Sequence, residues 1–150
     1  MRVVVQRVSG AAVAIGGQEV GRIGIGLVVL VGVETGDSPG DAAWLAGKLA
    51  ALRIFPDDEG RMNRSVREIA GGTLVVSQFT LHAATARGNR PGFTRAAKPE
   101  EAIPLYEIFL ADLERETGRR PERGVFGADM QVSLVNDGPV TILIDSRNRE

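Results

Sequence analysis

The chain contains no cysteine, which excludes disulfides, thiolate nucleophiles and Cys-based zinc or iron-sulfur sites together. It has a single histidine, His82, so a Ser-His-Asp triad would have to pass through that one residue, and no nucleophile-elbow sequence surrounds it or the nearby Ser77. Aromatic residues are scarce at 5%, and the core must therefore be aliphatic. Neither sign of charge is in excess: the formal net charge is −1. No global positive field is available to hold a long nucleic-acid backbone such as duplex DNA, so any nucleic-acid contact must be local. Long apolar runs are missing too. The longest, Ile25 to Val33, contains Gly26 and Gly32 and is far too short to span a bilayer. Arg2, Gln6 and Arg7 interrupt the first apolar residues, which is unlike a signal peptide, so the expectation is a cytoplasmic protein with no membrane partner.

What is present reads as one domain over residues 1–150, long enough for a single core. Arg2 to Ser9 is rich in Val and predicts a strand, and Ala11 to Ile15, Gly16-Gly17 and Gln18 to Ile23 predict a hairpin. Ile25 to Val33 predicts a buried strand. Ser38 is a candidate N-cap with Pro39 at the first helical position, followed by Leu45, Leu49 and Leu52 at helical spacing. Arg53 to Phe55 predicts a short strand, and Thr73 to Phe79 a longer one. A second helix carries Ala102, Tyr106, Phe109 and Leu113 and stops at Gly118, with a kink or a separate first turn expected at Pro104. Met130 to Val135 predicts a late strand, with Val140 to Ile144 returning as its hairpin partner across Asn136-Asp137-Gly138-Pro139. The order predicts an α/β domain of layered sheet and helices.

Conventional catalytic machinery is sparse. Asp57, Asp58 and Glu59 cluster, but Arg61 stands where a calcium loop would need an oxygen ligand, and a solvated turn fits better. No cofactor or metal is expected. His82 reads as a surface or edge residue just past a strand. Ser77, Gln78 and Thr80 place three polar side chains at the end of the apolar run Leu74-Val75-Val76, where main-chain N–H groups could face a developing oxyanion. Taken alone, that pattern also suits a polar strand end entering a loop. Pro139 beside Gly138 removes a backbone donor and makes a cis peptide accessible, so the turn could project bare carbonyls. From Ala83 to Lys98 runs a segment without periodicity that carries Arg87, Arg90, Arg95 and Lys98 and no acid.

These segments together resemble the D-aminoacyl-tRNA deacylases. Gln6-Arg7-Val8, Leu30 to Val33, Arg53-Ile54-Phe55, Glu59 to Asn63, Leu74 to Leu81, Arg87 to Pro91 and Phe126 to Thr141 look like family sequence in family order. The resemblance implies a three-layer β/β/α domain working as a homodimer on the aminoacylated 3′ end of tRNA. It implies that Ser77, Gln78, Phe79 and Thr80 form the catalytic pocket for the terminal adenosine, and that Gly138-Pro139 from the other subunit, in cis form, selects chirality by leaving no room for an L side chain. Arg7 matches the residue that buttresses that turn, Met130 and Phe93 would add apolar wall, and Arg87, Arg90, Arg95 and Lys98 would hold tRNA phosphates. The implied reaction is hydrolysis of the ester of a D-aminoacyl-tRNA, with the 2′-hydroxyl assisting and Thr80 as nucleophile the second choice. A non-enzymatic dimeric module that binds a D-amino acid or an RNA end is the alternative in a different class.

Overall fold

The computed structural model describes residues 1–149. β1 (Arg2–Ile15) and β2 (Gln18–Ile23) form the expected hairpin, turning through Gly16 and Gly17 at φ 56° and 82°, the positive values that a two-residue connection between twisted strands requires. β3 (Gly26–Gly32) is the buried strand read from its continuous apolar run. It lies antiparallel to Arg2–Val8 of β1. α1 (Pro39–Ala51) begins at Ser38, whose hydroxyl accepts from the Asp41 N–H while the Asp41 carboxylate accepts from the Ser38 N–H. This reciprocal cap satisfies two donors that the first turn leaves free. Ala42, Leu45, Ala46, Leu49 and Ala50 form its buried stripe, and each fully buried leucine contributes roughly 1.5–3 kcal/mol.

β4 (Phe55–Pro56) pairs with β5 (Met62–Arg64) in a short ribbon; the strand expected over Arg53 to Phe55 shares only Phe55 with β4, and β5 carries no strand signal in the sequence. β6 (Gly72–Ser77) runs parallel to β3, and β7 (Glu122–Arg123) extends the sheet beyond it. α2 (Pro99–Thr117) ends at Gly118 as expected, but it runs unbroken through Pro104 where a kink or separate turn was anticipated. Pro104 lies early in the helix, and the bond it cannot donate would have gone to the carbonyl of Glu100, an exposed residue that water can reach.

The largest departure concerns the last strand. β8 (Gln131–Asp145) is one strand, antiparallel to β1 along almost its whole length, so Met130 to Val135 and Val140 to Ile144 are not partners of each other. The Asn-Asp-Gly-Pro sequence makes a bulge instead of a hairpin turn. Arg7 alone on β1 stands opposite Asp137 to Val140 on β8, with pairing resuming at Gln6–Thr141 on one side and Val8–Asn136 on the other. Partner choice here follows the register with β1, which no local turn signal encodes.

Because β8 occupies one edge of β1, β3 and then β2 share the other. The β1–β2 arm consequently folds across the sheet, and the backbone of Gly21 approaches the Leu74 side chain and the Arg123 carbonyl. Two cores result. Val3, Val5, Leu27, Val29, Val31 and Val75 face α1 and α2, while Val8, Val13, Ile23, Val28 and Leu74 pack between the folded halves of the sheet with Met130, Val132 and Leu134. Strand alternation sends Val28 and Val29 to opposite clusters, and the layers are β/β/α.

Candidate functional site

A cleft of about 260 Å³ opens at the C-terminal ends of the parallel strands β3 and β6. Val31, Val76, Ser77, Gln78, Phe79 and Met130 contribute to its lining, as do Ala97, Tyr106, Phe126 and Gly127. β6 stops at Ser77, two residues short of the expected strand. The Gln78 N–H still donates to the Val31 carbonyl at 2.7 Å, and the chain then winds into a 3-10 turn over Phe79–His82. Period-two alternation therefore ends at Ser77 and does not sort Phe79 and Thr80 onto opposite faces.

The 3-10 turn has a chemical consequence. Its first internal bond runs from the Leu81 N–H to the Gln78 carbonyl at 3.3 Å, so the N–H groups of Phe79 and Thr80 precede it and have no acceptor within the turn. Phe79 belongs to the cleft lining, whereas Thr80 is exposed and follows it just outside that lining. The Gln78 side-chain amide donates to the Thr80 hydroxyl at 2.5 Å, which fixes that hydroxyl beside a group that cannot serve as a base.

His82 corrects its expectation as a surface residue. It is fully buried at the end of the 3-10 turn, with Nδ1 3.9 Å from a Glu34 carboxylate oxygen and the ring against Gly32, where an added Cβ would lie 3.0 Å from Cδ2. Burial works to raise the Glu34 pKa, but the hydrogen bond and charge of Arg95, with Arg147 beyond, hold it below the usual carboxylate value. His82 thus wedges the turn from below and does not face the cleft.

The four cations proposed for tRNA divide. Arg95 donates to Glu34 through Nε at 2.7 Å and accepts at its carbonyl from the Thr35 N–H at 3.0 Å, so its side chain is committed to holding the segment down. Arg87, Arg90 and Lys98 are exposed and carry no ion pair among the described residues. Met130 lines the cleft, whereas Phe93 stands outside it, edge-on to the Phe79 ring at 5.1 Å between centroids.

The bulge on β8 is held by side chains. Arg7 donates from Nε to the Asp137 carbonyl at 2.9 Å and from Nη1 to the Ile54 carbonyl at 2.6 Å, with the Asp137 carboxylate 3.4 Å away. The Asn136 carboxamide spans the base, accepting from the Val140 N–H and donating to the Thr141 hydroxyl, each at 2.9 Å. Gly138 has φ 139°, and the Gly138–Pro139 bond is cis. A Cβ on Gly138 would lie 2.8 Å from Val140 Cγ2 and 3.1 Å from both Arg7 Nη2 and the Val140 nitrogen. No residue of the bulge lines the cleft of its own chain. Asp137 instead borders a groove with Gly24, Ile25, Gly71 and Gly72, at the opposite end of β3 and β6.

The model of the D-Tyr-tRNA(Tyr) deacylase family matches residues 4–145. The chain belongs to that family. It is 62% identical to a D-aminoacyl-tRNA deacylase of Akkermansia muciniphila and 63% identical to one of Opitutus terrae, in both cases over the full length of both chains. Among solved structures it is similar to the c-Myc DNA unwinding element binding protein, at 40% identity and a TM-score of 0.90 over 97% of this chain and 98% of that one. A probable eukaryotic D-amino acid tRNA deacylase shares the fold, with a TM-score of 0.82 at 18% identity over 95% and 97% of the two chains. As a member of the deacylase family the chain is a hydrolase with a β/β/α fold.

For this deacylase-family cleft the sequence hides Tyr106 and Phe126. Helical spacing assigns Tyr106 to the core, and it does pack there, its hydroxyl donating to the Val75 carbonyl at 3.2 Å and its ring edge-on to Phe126 at 6.1 Å. Burial pushes the Tyr106 phenol up to about 12. A tyrosine on an otherwise apolar helix face was the one available signal, since its hydroxyl had to find an acceptor.

Proposed function

We propose that this protein hydrolyses the ester of D-aminoacyl-tRNA, releasing the free D-amino acid and tRNA with an intact 3′-hydroxyl. The observation that carries the reading is the pair of N–H donors at Phe79 and Thr80, unengaged among the described residues, on a turn whose first residue lines a cleft in a chain of this family. Water attacks the ester carbonyl carbon, and the oxyanion that forms is stabilised by those two donors. The bond to the 3′-oxygen then breaks, and that oxygen takes up a proton. The 2′-hydroxyl of the terminal ribose assists the proton transfer, because Thr80 is bonded to an amide and His82 is buried away from the cleft. Covalent catalysis by Thr80 ranks second for the same reason.

Selection of chirality falls to the bulge of a second copy. Within one chain Gly138-Pro139 and the cleft lie at opposite ends of β3 and β6, so a bulge can meet a cleft only across subunits. Among the described residues β8 pairs only with β1, and it presents Val135 and Leu143, 62% and 63% exposed, which supports a homodimer built on that strand. Main-chain carbonyls of Gly138 and Pro139 would receive the substrate ammonium and exclude an L side chain. Glycyl-tRNA, with no side chain to exclude, is a candidate substrate by the same logic. Arg87, Arg90 and Lys98 are free to meet tRNA phosphates, with Arg95 acting as their anchor.

Membership of a hydrolase family favours turnover over the alternative of a silent binding module. The relative named for DNA binding raises a second partner, but the −1 net charge disfavours a duplex. The test is hydrolysis of D-tyrosyl-tRNA beside L-tyrosyl-tRNA. Cleavage of the D-ester alone is expected; equal rates, or no cleavage, would refute the proposal.

A further inference from the structure

Two of the five phenylalanines in this aromatic-poor chain are exposed and touch each other. Phe79 is 56% exposed and Phe93 36%, and their rings meet edge-on at the cleft rim. Phe79 belongs to the cleft lining, so the pair begins where the cleft ends. Phe93 is held in place independently of Phe79. Ala84 and Gly92 exchange main-chain bonds at 2.7 and 3.0 Å just before it, the Ala96 N–H donates to its carbonyl at 3.1 Å, and the Arg95–Glu34 pair fastens the chain just after it. The same segment presents Arg87 and Arg90 and no acid between Ala83 and Lys98. An exposed aromatic pair whose segment also carries exposed cations is the combination that binds single-stranded nucleic acid, the rings stacking on a base and the cations meeting its backbone.

We infer that Phe79 and Phe93 form a stacking platform for the base of the nucleotide that precedes the terminal adenosine. The inference rests on the deacylase reading, which puts that adenosine in the cleft. The next nucleotide leaves the cleft mouth one backbone step away and meets the Phe79 ring there, with Phe93 bracing the ring edge-on. The occupant is a single-stranded nucleotide because the rim offers π-faces on a segment that carries basic residues and no acid, where a protein partner would need a larger apolar surface.

Three substrates carrying a 3′-D-tyrosyl ester test this: adenosine alone, adenosine preceded by an abasic ribose phosphate, and cytidylyl-adenosine. Wild-type kcat/KM is expected to rise about tenfold from the abasic to the cytidylyl substrate, the scale of one base–aromatic stack. In Phe93→Ala that ratio is expected to fall to within about twofold of unity, and in Phe93→Trp to be retained. A wild-type ratio near one, or an unchanged ratio in Phe93→Ala, overturns the platform while leaving the deacylase reading intact. Conversion of Phe93→Ala to a monomer by size exclusion would make the pair a subunit contact and overturn it as well. Failure of the wild type to cleave any of the three, and D-tyrosyl-tRNA too, would remove the deacylase reading and the platform with it. Thermal melts of both variants establish that they are folded, and Phe93→Trp keeps the test decisive if Phe93→Ala is not.

Discussion

Ser77 to Thr80 and Asn136 to Thr141 are both short polar interruptions of apolar strands, yet they are built by opposite means. The first is shaped by main chain: β6 ends, Gln78 keeps one ladder bond to Val31, and the 3-10 turn leaves the Phe79 and Thr80 N–H groups without an acceptor among the described residues. The second is shaped by side chains, the Arg7 guanidinium and the Asn136 carboxamide, on a strand whose pairing continues on both sides. A site made of main chain should tolerate loss of its side chains. A loop made by side chains should fail when one is removed, while the sheet around it survives.

The strongest test of this contrast is Gly138→Ala. The added methyl would sit 2.8 Å from Val140 Cγ2 at a φ that suits glycine, and displacing the bulge by a fraction of an ångström is expected to lower D-ester kcat/KM about 100-fold. The thermal midpoint should respond less than the kinetics, since of the bulge residues only Val140 packs against a core. Unchanged kinetics would mean that the bulge does not meet substrate. Arg7→Ala comes next. It removes the donor to Asp137 and leaves the Ile54 carbonyl without its partner, which is expected to destabilise by roughly 1–3 kcal/mol in urea titrations. The ratio of D- to L-ester rates should fall before the protein unfolds.

Thr80→Ala probes the main-chain side of the contrast. It removes one hydroxyl but neither N–H donor, so a loss of only about 2- to 10-fold is expected. The paired measurement uses tRNA ending in 2′-deoxyadenosine, for which the rate should collapse. Normal cleavage of that substrate with a dead Thr80→Ala would instead make Thr80 the nucleophile.

Ser38→Ala is the control far from both segments, expected to lose about 1 kcal/mol of stability with activity unchanged. It also has a pH signature. Burial works to raise the Asp41 pKa, but hydrogen bonds from Ser38 bring it down to about 2 from 3.8. The folded value is depressed, so the stabilisation is present above about pH 3.8 and is lost as pH falls towards 2. Acid melts of the variant should lack part of that loss.

Features that the chain encodes within a few residues were legible. Ser38, Pro39 and the leucine spacing give α1 its start and its buried face, and Gly16-Gly17 gives the first hairpin. Segments that owe their structure to distant residues were not. Asn136 to Pro139 is hairpin sequence, and only the register of β1 against both halves of β8 makes it a bulge. His82 looks like an exposed residue after a strand until Gly32 and Glu34 close over it. Of the residues expected at the pocket, Ser77, Gln78, Phe79 and Met130 line the cleft and Thr80 does not, while Tyr106 and Phe126 were hidden because a residue can serve core and cleft at once. Phe93 lies outside the cleft lining, and no local cue in the sequence says which side of Phe79 it takes.

The continuity of β8 gives the bulge a modular character. Residues 2–6 of β1 fix the register on one side of it and residues 8–14 fix the other, so each flank is anchored without reference to the length of chain between them. The loop is in effect a socket in the sheet. With Asn136 and Val140 kept in place, Asp137 to Pro139 could be altered without shifting either flank, so the part of the molecule proposed to judge handedness can be redesigned separately from the part that holds the fold.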